Sequence, residues 1–282
     1  MNKKLFIPCV CVSAILLGTW IGWGNFALTA EPYRIKSDDL PEAFDGFRIA
    51  HISDMHNSRL AKDDGKLIRL LEQASPDLIA ITGDLIDARR TDTKLALSFM
   101  EEALKIAPCY YVPGNHEARI EEYPGFAEEL ERIGVEILYD ESTVIERGGE
   151  FISIIGLADP AFHSRTGSAS GKAVLSEHLY SLTSDDAHSF TLLLSHRPEI
   201  IDIYSSCGVD LALCGHAHGG QIRLPFIGGI IAPHQGWFPR FDAGLFKQEE
   251  TSMLVSRGVG NSLFPFRVNN RPEVPIIELV KA

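Results

Sequence analysis

The sequence predicts an α/β domain of two or four layers, and three observations carry that expectation. Its 282 residues are 45% hydrophobic, which suffices for one large domain with a full core. Through the first half, apolar runs of strand length alternate with amphipathic runs of helical period, the pattern of parallel βαβ units. Later the strands follow one another more closely, which points to antiparallel pairing. The net charge of −12 argues against nucleic-acid binding, whose affinity comes from neutralised phosphates. Small phosphate-bearing ligands stay compatible with an acidic chain, because a bound cation inverts the local charge.

Lys3 and Lys4 precede an uncharged run over 5–30, apolar through 5–23. Crossing a bilayer takes roughly 20 residues, whereas the apolar part of a secretory signal is about 7–15. Residues 1–30 therefore read as a membrane anchor or as a cleaved signal. The two lysines keep the N-terminus in the cytoplasm, so the domain is expected on the extracytoplasmic side of the cell membrane, or secreted if cleavage occurs. Residues 31–46 read as a polar linker that becomes the first edge of a domain over 47–282. Strands are expected over 47–53, 77–82, 109–112, 135–138, 143–146, 151–157, 191–194, 209–213, 253–256 and 275–280. Helices are expected over 62–74, 93–107, 121–133, 173–182 and 199–205, and a Ser/Gly-rich loop over 159–172. Pro76 ends the first of these helices and Gly134 the third. The five cysteines form no CxxC pair and read as small buried hydrophobes, with no disulfide expected.

Chemistry concentrates just beyond the strands. After the apolar run 209–213 comes Cys214-Gly215-His216-Ala217-His218-Gly219-Gly220-Gln221. Positions i and i+2 of extended backbone face the same side, and the glycines let the chain approach a ligand closely. Four more strand ends carry similar groups: Asp54-Met55-His56, Gly83-Asp84 with Asp87 three residues on, Gly114-Asn115-His116-Glu117, and Ser195-His196. Each alone has an ordinary explanation, as a turn, a helix cap or a hydrogen-bonded core histidine. Repetition at five strand ends, where open α/β sheets build their sites, points instead to one shared site.

The donors are nitrogen and oxygen with no thiolate, a set suited to Mn, Fe, Co, Ni or Zn. Asp54, His56, Asp84, Asn115, His196, His216 and His218 are too many for one ion and suit two ions sharing a carboxylate. Such pairs, about 3.5–4 Å apart, clamp the attacking and leaving oxygens of an in-line phosphoryl displacement. Two divalent ions, less two carboxylates and a bridging hydroxide, leave a net positive charge that attracts a phosphate anion.

In kind and order these residues resemble the five motifs of the calcineurin-like metallophosphoesterases, from Phe47 to the C-terminus. The wording of the His216 motif, and Ser256-Arg257-Gly258-x-Gly260-Asn261-Ser262, resemble the bacterial membrane-associated phosphodiesterase branch. The resemblance implies a four-layer αββα sandwich of two mixed sheets. It implies that Asp54, His56 and His218 hold one ion and Asn115, His196 and His216 the other, with Asp84 bridging. A bridging hydroxide would attack phosphorus while His116 stabilises the transition state or protonates the leaving oxygen. Asp87 would orient His116 or cap a helix start, and Glu117 would support the site or face solvent.

Of the other histidines, His51 reads as packed, His178 and His188 as solvated, and His163 and His234 as bordering the pocket. The stretch 224–246, rich in Phe, Trp and Ile, is either a rim tucked under the site or a lid touching the bilayer or a lipid-like leaving group. Arg223, Arg257 and Arg267 would fork onto a substrate phosphate or form surface ion pairs. The expected activity is metal-dependent hydrolysis of a phosphate ester, small-molecule or lipid, with phosphodiesterase the leading reading. Alternatives are a pyrophosphohydrolase acting on a nucleotide-linked lipid and a membrane-tethered metal-binding module without turnover, which would have no use for His116.

Overall fold

The structure, a computed structural model, describes residues 3–62, 65–163, 171–184, 189–262 and 264–282. The chain opens with helix α1 (Lys3–Phe26) and strand β1 (Thr29–Ser37). It then alternates through β2 (Arg48–Ile52), α2 (Arg59–Lys62), α3 (Lys66–Ala74), β3 (Leu78–Thr82), α4 (Thr93–Ala103), β4 (Cys109–Val112), α5 (Tyr123–Ile133) and β5 (Glu136–Ile137). Next come β6 (Glu141–Arg147), β7 (Glu150–Leu157), α6 (Pro160–His163), α7 (Gly171–Ser184), β8 (Thr191–Ser195), α8 (Ile201–Ser206) and β9 (Leu211–Cys214). Two small hairpins follow, β10 (Arg223–Leu224) with β11 (Gly228–Gly229) and β12 (Ile231–Ala232) with β13 (Gly236–Trp237). The chain closes with β14 (Gly244–Gln248), β15 (Thr251–Val255) and β16 (Glu273–Lys281).

Two six-stranded mixed sheets carry the fold, in the orders β1-β16-β2-β3-β4-β5 and β14-β15-β9-β8-β7-β6. The period of two along each strand sorts the side chains into layers. In β3, Leu78 and Ala80 pack between the sheets with Leu192, Leu194, Leu211 and Leu213, while Ile79 and Ile81 face the helices. In the second sheet Leu193, Ala212 and Cys214 turn outward to meet Leu175 and Leu179 of α7 and Tyr204 of α8. On the other side α3 presents Leu67, Leu71 and Ala74 at helical spacing, and α4 and α5 add Phe99, Met100, Phe126 and Leu130. Helices thus cover the outer face of each sheet. Local signals end them as expected: Asp92 accepts the Leu95 N–H at the start of α4, and Gly134 (φ 105) stops α5.

Residues 31–46 are not a linker. Strand β1 pairs in parallel with β16 from Thr29/Glu273 to Ser37/Lys281, and Leu40 and Phe44 beyond it are fully buried. An edge strand with one face in water needs few apolar residues, and this hid it in a polar stretch. Cys109 and Cys214 are buried, whereas Cys207 is half-buried and Cys11 exposed, all four as free thiols.

Side chains of α1 are described from Cys11 onward, residue 14 excepted, and they leave Ile15, Leu16, Leu17, Trp20 and Trp23 exposed. Among the described residues no helix is long and apolar enough to cross a membrane. The end of α1 is docked. Asn25 donates to the Arg267 carbonyl (3.0 Å) and accepts the Arg267 N–H (2.7 Å), and the Arg271 guanidinium lies 4.8 Å over the Trp23 ring.

Candidate metal centre

Five strand ends meet on one side of the two sheets. Beyond β2 lie Asp54 and His56, beyond β3 Asp84, beyond β4 Asn115 and His116, beyond β8 His196, and beyond β9 His216 and His218, all of them buried. Asp54, His56, Asp84, His216 and His218 adopt left-handed backbone with φ of 51°, 45°, 55°, 67° and 48°. Each such residue costs on the order of 1–3 kcal/mol, and such strain gathers at functional sites. At Gly215 a Cβ would meet Asp54 Oδ2 at 2.5 Å, so only glycine lets this turn pass the carboxylate.

The donor atoms converge. Asp54 Oδ1 lies 3.3 Å from His218 Nε2 and 3.8 Å from His56 Nε2. Asp84 Oδ2 lies 3.3 Å from His196 Nε2 and 3.5 Å from His56 Nε2. Imidazole nitrogens approach each other at 3.2 Å (His56 and His218) and 3.1 Å (His216 and His196). Ligand atoms of Asp54, His56 and His218 lie within 4.8 Å of one another, as do those of Asp84, His196 and His216, while Asp84 also groups with His56 and His116.

The set fits cations. His196 Nδ1 sits 2.7 Å from the Thr82 carbonyl, which only accepts, so this nitrogen carries a proton and fixes the ring with Nε2 toward Asp84, the nitrogen that a bound cation would take in place of a proton. Asn115 Oδ1 is buried with no hydrogen-bond partner among the described residues, an acceptor that a cation would satisfy.

Electrostatics point the same way. Burial opposes ionisation of Asp54 and Asp84, yet His218 and His56 around the first and His196 around the second hold both below the usual carboxylate range. Burial likewise opposes charge on His196, but Asp84 and Asp54 outweigh it and push its pKa up to about 10. Burial takes His218 down to about 3. Buried carboxylates require a positive partner, and in the metal-free protein His196 supplies it.

A family model described as calcineurin-like phosphoesterase matches residues 47–220. The chain belongs to this family. The relatives include phosphodiesterase YaeI of Escherichia coli, 30% identical over 83% of this chain and 82% of its own length. A metallophosphoesterase of Bacillus subtilis, YkuE, is 32% identical over 99% of this chain and 98% of its own. The fold is similar to that of TT1561 from Thermus thermophilus, with a TM-score of 0.52, 15% identity and coverage of 75% of this chain and 89% of that one. This calcineurin-like phosphoesterase is a metal-dependent phosphoester hydrolase.

In this phosphoesterase His116 accepts the Ala88 N–H at Nδ1 (3.0 Å), so its neutral ring carries hydrogen on Nε2. That nitrogen lies 4.0 Å from Asp84 Oδ2 and 3.3 Å from Ser262 Oγ, at a cavity of about 290 Å³ shared with Asn115, His216 and His218. Burial lowers the His116 pKa to about 4, so at neutral pH it offers an N–H donor rather than a charge. Asp87 stands 3.8 Å from His116 Nδ1, beyond hydrogen-bonding distance, and accepts the Arg89 N–H (2.9 Å) instead. It shapes the turn that aims the Ala88 N–H. Glu117 does not face solvent: fully buried, it accepts the N–H groups of Asp84 (2.9 Å), Ile86 (3.2 Å) and Gly114 (2.8 Å).

Sequence reasoning gave Arg197 no role. Its guanidinium forks onto Asp159 (2.5 and 3.0 Å) and places Nη1 3.0 Å from His216 Nε2 and 2.6 Å from His234 Nδ1. Its place directly after His196 was the available signal. His234 borders the cavity as expected, His51 is packed against Thr82 Oγ1 (2.7 Å), and His188 lies outside the described residues. His163 sits elsewhere, beside Asp140 and His178, rather than at the cavity, and His178 is partly open to solvent in polar surroundings.

The three candidate phosphate-binding arginines are otherwise engaged. Arg223 pairs with Asp242 (2.9 Å), Arg257 with Glu273 (3.3 Å), and Arg267, 1% exposed, donates to Asn261 and to the Arg257 and Gly260 carbonyls. Arg119 lines the cavity instead. The stretch 224–246 is not tucked away throughout: Phe226, Ile227, Trp237 and Phe238 are exposed, while Ile231 and Ala232 line the cavity.

Proposed function

We propose that this phosphoesterase is a binuclear phosphodiesterase. The observation that carries the reading is the placement of Asp84 among His56, His196 and His116, with His216 and His218 closing the circle. Asp54, His56 and His218 would hold one divalent ion and Asn115, His196 and His216 the other, with Asp84 serving both. When bound, two ions of the Mn, Fe, Zn, Co or Ni class neutralise the phosphoryl oxygens and make hydroxide available from water at neutral pH. Asp54 is held for its task by Ser53 Oγ–H (2.7 Å) and the His216 N–H (3.0 Å). His116 directs its neutral Nε2–H at the leaving oxygen as a hydrogen-bond donor that stabilises the negative charge building there as the ester bond breaks, its ring oriented by the Ala88 N–H. Residues 47–282, together with β1 (Thr29–Ser37) as the outermost strand, form the catalytic domain.

The chain is held at the membrane by α1, with the domain outside the cytoplasm. The apolar side chains exposed on α1 and the lysines at positions 3 and 4 support this. A second reading has its own observation. A cavity of about 870 Å³ lies between Gly18, Ile21 and Phe26 of α1 and the basic Arg59, Arg89 and Arg90, with His56 in its wall. Apolar and cationic walls beside the metal centre favour a lipid-linked phosphoester, including a nucleotide-linked lipid cut at its pyrophosphate.

The test uses the full chain in detergent, stripped of metal and restored with Mn, against a diester, a monoester and a pyrophosphate in parallel. At least two ions per chain and fastest turnover of the diester are expected. His116→Ala should lose about 10²–10⁴-fold in kcat while keeping its metal, and Asp84→Asn should lose metal as well. Fewer than two ions with no turnover would overturn the binuclear reading, and near-full activity of His116→Ala would remove that residue from the chemistry.

A further inference from the structure

Away from this centre, three side chains from separate elements meet at a place the phosphoesterase chemistry does not use. Asp140, in the turn between β5 and β6, has Oδ2 3.0 Å from Nε2 of His163 at the end of α6 and 3.2 Å from Nδ1 of His178 in α7. We propose that Asp140, His163 and His178 form a separate cation site for one zinc-class ion, which ties α6 and α7 to the β5–β6 turn.

Geometry carries the proposal. The three ligand atoms lie within 4.8 Å of one another. Zinc bonds of about 2.0–2.2 Å in tetrahedral geometry put neighbouring donors roughly 3.3–3.6 Å apart, close to the spacings seen here. Asp140 is prepared for the role: its other oxygen accepts the Ala158 N–H at 3.0 Å, and its backbone sits in the left-handed region at φ 55°. Although Asp140 Oδ2 is 3.2 Å from His178 Nδ1, that nitrogen forms no hydrogen bond among the described residues.

The donor set selects the ion. Two imidazoles and one carboxylate suit zinc, cobalt or nickel, whereas magnesium and calcium take oxygen-only cages. A plain ion pair explains the cluster less well. The His163 and His178 rings meet edge to face with centroids 5.2 Å apart, so charging both would set two like charges against one carboxylate. A cation lets both rings stay neutral. With side-chain exposures of 10%, 13% and 38% for Asp140, His163 and His178, the site stays open to water for its fourth position. Asp159, the partner of Arg197, lies in the segment between Ala158 and His163 that the ion would hold at both ends.

The full chain, stripped with chelator, reloaded with zinc alone and desalted, is analysed for zinc per chain. His163→Ala and His178→Ala should each hold one ion fewer than the wild type, with turnover after Mn restoration within two-fold of it. Should His163→Ala fail to fold, His178→Ala decides, since its ring is largely outside the core. Equal zinc in the wild type and His178→Ala would overturn the proposal. So would loss of turnover together with zinc, which would place the missing ion in the catalytic centre.

Discussion

Glu117 ties the loops after β3 and β4 to each other through three backbone N–H groups, and so sets the spacing of Asp84 and Asn115. Burial and the nearby Asp84 charge raise its pKa to about 7, against the pull of those same N–H groups. Glu117→Gln puts an amide NH2 where an acceptor is needed. One unsatisfied buried donor costs about 1–3 kcal/mol, so thermal unfolding should show a lower Tm and metal titration a weaker affinity. Unchanged values in both would mean the loops hold without it. The proposed ligands were legible in the sequence because polar residues repeated after apolar strands. Glu117 and Arg197 were not, since their partners are backbone amides and a distant Asp159, which no local pattern displays.

At the scale of elements, α1 carries its own prediction. With Leu16 and Trp20 both exposed, Leu16→Glu with Trp20→Glu places two carboxylates on the apolar surface. Each charge at the middle of a bilayer costs roughly 2.5–3.5 kcal/mol on insertion scales. The double variant should leave the membrane fraction for the soluble one when cells are fractionated, whereas the parent stays with the bilayer. Retention of both would refute anchoring through this helix. Most strands and helices were readable from periodicity because their buried faces are continuous, as in α3 and β3. The hairpins β10/β11 and β12/β13 were not, because a two-residue strand has no period to detect. β1 escaped for the opposite reason: it is long, but only Ile35 is buried in it.

For the whole molecule, the charge balance predicts a pH response of the metal-free form. His196 has its folded pKa raised from 6.5 to about 10, so its contribution is complete below 6.5 and disappears as pH climbs to 10. Asp54 and Asp84 are depressed, so theirs is present above 3.8 and lost only on strong acidification. Calorimetry of the chelated protein should therefore show Tm falling from pH 6.5 to 10 more steeply than in the metal-loaded protein, where the ions neutralise the carboxylates. Parallel slopes would contradict the assignment of His196 as the stand-in cation. Sheet order adds a constraint of another kind. Strand β16, more than 200 residues along the chain from both, lies between β1 and β2. As the chain emerges in order, β1 and β2 are present long before the strand between them, and the sheet closes when β16 threads into that gap. Such closure, spanning nearly the full sequence, is the slow kind. Until β16 arrives, the facing edges of β1 and β2 hold backbone N–H and C=O groups without strand partners, an open edge that another chain could pair with.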